Sequence, residues 1–191
     1  MTLSPVLRRF ALFCLLLAPS QAGAQAKDAR ISDLLVTQEG SSLLVSFQLL
    51  DGLTEELVER IESGLPTGFS YRVRVERPRR WWLNKTVVAS ELQVVAMYNA
   101  ITREYLINYK HDGKLIESRV VKSLEDLERE MTIVHEMAFV NLEEDPDARL
   151  TMRLRAELGS RTILGFIPAT IRTDSAVSRR RTAVWETVRS D

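Results

Sequence analysis

The sequence predicts an α+β fold: a mostly antiparallel, curved β-sheet of about six to eight strands with two short helices packed on it. Three observations carry that prediction. Apolar and polar residues alternate with the period-two signature of strands along most of the chain. Short, turn-rich segments join these runs, which favours antiparallel neighbours. Helical spacing occurs in only two segments, too few to cover a parallel sheet on both faces.

The composition fits one ordinary domain, since 191 residues with 45% hydrophobic and 27% charged side chains can bury a core. Lys+Arg and Asp+Glu each number 26, so no global basic field draws phosphate backbones, and nucleic acid is not expected as a partner.

Residues 1–24 read as a secretory signal peptide. Arg8 and Arg9 form the positive region, Phe10 to Ala18 the apolar region, and Ala22-Gly23-Ala24 the small-residue cleavage site. The apolar run is too short for a membrane span, which needs about 20 residues. Cleavage after Ala24 would place the chain in the periplasm and remove Cys14, its only cysteine. Leu12-Phe13 before Cys14 does not resemble a lipoprotein cleavage site, and without a cysteine the mature chain would hold together by burial alone. The domain is expected over residues 25–172, followed by a polar, partly disordered tail over residues 173–191.

Ile31 to Thr37 and Leu43 to Leu50, separated by Gln38-Glu39-Gly40-Ser41, predict an antiparallel hairpin with Leu43, Val45, Phe47 and Leu49 facing the core. Thr54 caps a short helix whose acids cluster in its first turn and which Gly64 and Pro66 stop. From Phe69 the period becomes two: Phe69, Tyr71, Val73 and Val75 line one face, and Ser70, Arg72, Arg74 and Glu76 the other. Thr86 to Asn99 has apolar residues in both alternating sets, as in a central strand covered on both sides. Tyr105, Ile107 and Tyr109 alternate toward Asp112-Gly113, a hairpin signal, and Leu115 to Lys122 returns. Ser123 opens a second helix with a capping-box spacing to Asp126, expected to run to about His135. Glu143 to Asp147 reads as a turn and Leu150 to Glu157 as a further strand, while Ile163 to Ile167 is too short to assign.

Catalytic patterns are scarce. His135-Glu136 begins like a zinc-protease helix, but Phe139 stands where the second histidine belongs. No nucleophile elbow, dinucleotide or phosphate-loop spacing occurs, and serine catalysis would need a base brought in from far along the chain. The acidic stretch lacks the alternating ligands of a calcium loop. These readings point away from an enzyme and imply no cofactor and no metal. The distinctive surface feature is Arg77, Arg79, Arg80, Trp81 and Trp82, residue types that dominate interface hot spots and also suit an anionic membrane surface.

With these motifs placed, the chain resembles the bacterial family called domain of unknown function 4390. The resemblance rests on Ile31-Ser32-Asp33-Leu34, on Gly64-Leu65-Pro66 leading into Phe69 to Arg77, on Trp81-Trp82, and on Tyr98-Asn99-Ala100-Ile101-Thr102-Arg103-Glu104-Tyr105. From Gly165 onward the chain departs most from the family pattern. The resemblance implies an exported envelope protein and brings no activity, cofactor or catalytic residue. The functional expectation is therefore a non-catalytic interaction or accessory domain for an inner-membrane or other envelope protein. The alternative is a binder of a small apolar ligand or lipid between sheet and helices, with Met97 and Met131 as liners.

Overall fold

The structure is a computed structural model that describes residues 29–79, 83–142, 148–158, 171–173, 175–181 and 184–188. The expected signal peptide, the Glu143 to Asp147 turn and the Ile163 to Ile167 segment lie outside them.

In chain order the elements are β1 (Arg30–Glu39), β2 (Ser42–Leu50), α1 (Glu55–Glu62), β3 (Thr67–Arg77), β4 (Lys85–Asn99), β5 (Glu104–His111), β6 (Lys114–Val121), α2 (Leu124–Thr132), β7 (Ile133–Asn141), β8 (Leu150–Leu158), β9 (Ile171–Arg172), β10 (Ala176–Arg181) and β11 (Val184–Val188). The fold is α+β, as the alternation predicts. Its strands divide between two antiparallel sheets: a small one in the order β1-β2-β7, and a large one in the order β11-β10-β8-β3-β4-β5-β6, with β9 beside β8.

The two sheets bury one face of each against the other. Leu43, Val45, Phe47 and Leu49 point inward from β2, and Phe69, Tyr71, Val73 and Val75 from β3. Phe47 meets Tyr71 edge-on with ring centroids 4.8 Å apart, and Phe139 of β7 lies 6.4 Å from Phe47. Helix α2 closes the core with Leu127 and Met131, and the buried Tyr71 hydroxyl donates to the Met131 carbonyl at 2.7 Å. Both caps form as the sequence predicts: Thr54 Oγ1 accepts from the Leu57 N–H, and Ser123 Oγ from the Asp126 N–H.

The Asp112-Gly113 hairpin also forms, with positive φ at both residues, as a two-residue turn of this hand requires. Between β4 and β5, Asn99 Oδ1 accepts from the Ile101 and Thr102 N–H groups, and Tyr98 and Tyr105 pair across the strands with centroids 4.9 Å apart.

Three expectations are corrected. Helix α2 ends at Thr132 rather than near His135, and β7 follows with no loop, because Ile133 already has extended backbone. Strand β4 is buried on one face only: Ser90, Leu92, Val94 and Ala96 are buried, whereas Val87, Val95 and Met97 on the other face are half-buried. Within residues 173–191, expected as a polar, partly disordered tail, Ala176–Arg181 and Val184–Val188 form β10 and β11 of the large sheet. Strand alternation explains this. It sends Arg179 outward and Arg180 inward, where the Arg180 guanidinium donates to the Ala148 carbonyl and to Gln38 Oε1 and lies 5.8 Å from the Trp185 ring.

Candidate functional site

Opposite the core, the large sheet presents a face built by the polar half of the same alternation. Strand β3 contributes Ser70, Arg72, Arg74 and Glu76, and β8 contributes Thr151, Arg153, Arg155 and Glu157. The antiparallel register sets Arg72 directly opposite Arg155, and Arg74 directly opposite Arg153. Arg179 of β10 stands opposite Thr151 and extends the face.

These arginines are unequally compensated. Arg72 reaches Glu157 at 3.0 Å and Glu91 at 3.4 Å, and Arg153 reaches Glu76 at 3.4 Å. Partial burial acts to raise the Glu91 carboxyl, but hydrogen bonds from Ser70 and Gln93 and the Arg72 guanidinium outweigh it and hold the group below its ordinary value. Arg155 donates to the Ser175 hydroxyl. Among the described residues, Arg74, Arg149 and Arg179 have no ion-pair partner.

At the end of this face a cleft of about 340 Å³ opens between Pro78, Asn84, Arg149, Thr151, Arg153 and Arg179. Arg77, half-buried, and Arg79, exposed, sit at the adjoining end of β3. The structure thus brings the described part of the sequence-predicted patch beside a larger arginine cluster from β8 and β10. Arg80, Trp81 and Trp82 lie outside the described residues.

Sequence reading missed the β8 and β10 arginines. Arg153 and Arg155 were visible on the polar set of a strand, but their opposition to Arg74 and Arg72 is a property of register across about 80 residues.

A second cluster joins groups far apart in the sequence. Ser90 Oγ lies 2.7 Å from His111 Nε2 and 3.1 Å from both Asp112 carboxylate oxygens, the residue types of a nucleophilic triad. Its hydrogen bonding is different. His111 Nε2 also lies 3.0 Å from the Phe139 carbonyl, which can only accept, so this nitrogen carries the proton and is no base for Ser90. The Ser90 hydroxyl donates to Asp112, whose carboxylate also accepts from the Glu91 N–H at 2.8 Å. The cluster clasps β4, the β5 end and β7 together. His135 is exposed on β7, and among the described residues no group of three metal-ligating side chains converges.

Met131 is buried beneath Tyr71, whereas Met97 is half-buried on the opposite side of the large sheet, so the two line no common cavity. Among the described residues no helix is long and apolar enough to cross a membrane.

Fold and site together define a two-sheet α+β domain with an arginine-rich outer face. A family model described as "Domain of unknown function (DUF4390)" matches residues 26–163, and the chain belongs to that family. No curated protein and no solved structure matches it.

Proposed function

We propose that this protein is a non-catalytic interaction domain of the bacterial cell envelope, exported to the periplasm, whose arginine-rich sheet face docks on an acidic surface of an envelope protein. One observation carries the reading: two arginine pairs stand directly opposite each other on neighbouring strands. Like charges in that position cost stability, and while Glu157, Glu91 and Glu76 compensate Arg72 and Arg153, Arg74 stands without an ion pair among the described residues. An acidic partner would relieve it, and the guanidinium fork suits bidentate recognition of carboxylates.

The distribution of charge supports this. The chain is neutral in total, yet α1 carries Glu55, Glu56, Glu59 and Glu62 against Arg60, and α2 carries Glu125, Asp126, Glu128 and Glu130 against Arg129. On the outer sheet face Arg72, Arg74, Arg153, Arg155 and Arg179 outnumber Glu76, Glu91 and Glu157. Such a dipolar field orients an approaching partner before contact.

The test is photo-crosslinking in intact cells from a reactive residue replacing Arg74, with a second probe replacing Glu59 on α1 as the control face. The expected result is a protein adduct at position 74 only, mapped to an acid-rich segment of the partner and lost in an Arg153→Glu background. A lipid adduct, no adduct, or equal adducts from both positions would overturn the reading.

A further inference from the structure

Among the described residues, strand β6 forms one border of the large sheet, and seven of its eight residues are exposed. Leu115, Ile116 and Val120 are 60%, 50% and 56% exposed, an unusual apolar content for a bare edge. We propose that this edge pairs with β6 of a second copy of the chain, antiparallel about a two-fold axis through Ser118.

The strand is self-complementary about that residue. Rotation about Ser118 sets Glu117 opposite the second copy's Arg119, and Arg119 opposite its Glu117. Two opposite-charge pairs thus face each other in the regular stretch around Ser118, of a kind that stabilises neighbouring strands. Beyond these, the apolar Leu115 and Ile116 at the bulge come toward Val121 and Val120, and Lys114 toward Lys122. A two-fold axis requires such self-matching, because every contact occurs twice.

Internal contacts already hold the charged groups in place. Arg119 donates to Glu117 through Nε and Nη2, pairs with Glu130 of α2, and lies over the Tyr109 ring at 5.2 Å. The second copy's Glu117 would meet a guanidinium that is already ordered, which lowers the entropy cost of association. The register pairs Tyr109 with Glu117 and Lys110 with Leu115, so Ile116 is the bulged residue and the regular stretch of the strand runs from Glu117 to Val121.

The axis gives a sharp test. In an antiparallel self-pair the two Ser118 Cα atoms would lie about 4.5 or 5.5 Å apart. Either separation falls within the roughly 4.4–6.8 Å that a disulfide spans. In a Cys14→Ser background, Ser118→Cys should therefore form a disulfide-linked dimer under mild oxidation. Lys114→Cys, whose two copies would be about 26 Å apart, should not. By analytical ultracentrifugation the unmodified chain should rise from one chain mass toward two between roughly 1 µM and 1 mM, a range suited to a small interface. Val120→Lys, at an exposed position, should hold it at one. A single-chain mass throughout, or equal oxidation of the Ser118 and Lys114 cysteine variants, would overturn the proposal.

Discussion

The two faces of β3 are made of adjacent residues and obey opposite rules. Phe69, Tyr71, Val73 and Val75 are each no more than 1% exposed and meet the small sheet and α2. Between them, Ser70, Arg72, Arg74 and Glu76 turn to the outside, where Arg72 and Arg74 stand opposite Arg155 and Arg153 of β8. Burial dictates the inner set, since a one-residue slip would send every apolar side chain to water. The outer set is held by exposed or half-exposed ion pairs between strands. Glu76, Glu91 and Glu157 compensate Arg72 and Arg153, and the proposed docking role rests on the arginines that they leave without a carboxylate.

Truncating one residue on each face would break this comparison most directly. Phe69→Ala leaves a cavity between the sheets and should cost about 3–5 kcal/mol. Arg72→Ala should change stability by roughly 0–1 kcal/mol, because its ion pairs are half exposed. Urea unfolding with an unchanged slope checks both. A comparable loss from the two would mean that the outer face is structural after all.

The same division explains what could be read in advance. Strands β2 and β3, both helix caps and the Asp112-Gly113 turn rest on local periods and local chemistry, and their residues announce them. Strand β7 was hidden because Glu136 takes a φ of 44° and its N–H bonds Ser46 Oγ, a bulge that breaks the period of two. Its first apolar residues also continue the helical spacing of α2. Strand β10 was hidden by three consecutive arginines, which read as a solvated tail until a neighbouring strand separates Arg179 from Arg180. The partition into two sheets and the opposed arginines depend on pairing between distant segments. The candidate site was thus legible only at its edge, in Arg77 and Arg79.

Tyrosine ionisation sharpens the contrast from the buried side. Burial and then the hydrogen bond to Glu62 push the Tyr105 hydroxyl up to about 12, and burial also raises Tyr71 and Tyr109. A group whose folded pKa lies above its unfolded value contributes stability that is complete below the unfolded pKa and disappears as pH rises through the folded one. For Tyr105 the window runs from about pH 10 to about pH 12. The urea midpoint should therefore fall between these values, and Tyr105→Phe should lose less of it over the window than the unmodified chain. An identical decline in both chains would show that Tyr105 ionises as freely in the folded state as in the unfolded one.

The smallest expected effect is the most discriminating. Arg74→Glu sets a carboxylate directly opposite Arg153 and beside Arg72, replacing a like-charge pair by an opposite-charge one. Glu76 and Glu91 on the same face offset part of that gain. The net effect should be a stabilisation of about 0.2–1 kcal/mol, the scale of a cross-strand pair, and it should shrink as added salt screens the exposed charges. If the face serves an acidic partner, the same substitution should abolish the crosslink formed from a neighbouring probe at Arg179. A chain made slightly more stable and at the same time unable to bind would show that Arg74 is kept at the expense of stability. A chain destabilised by more than about 1 kcal/mol would instead place Arg74 among the residues that hold the two sheets together.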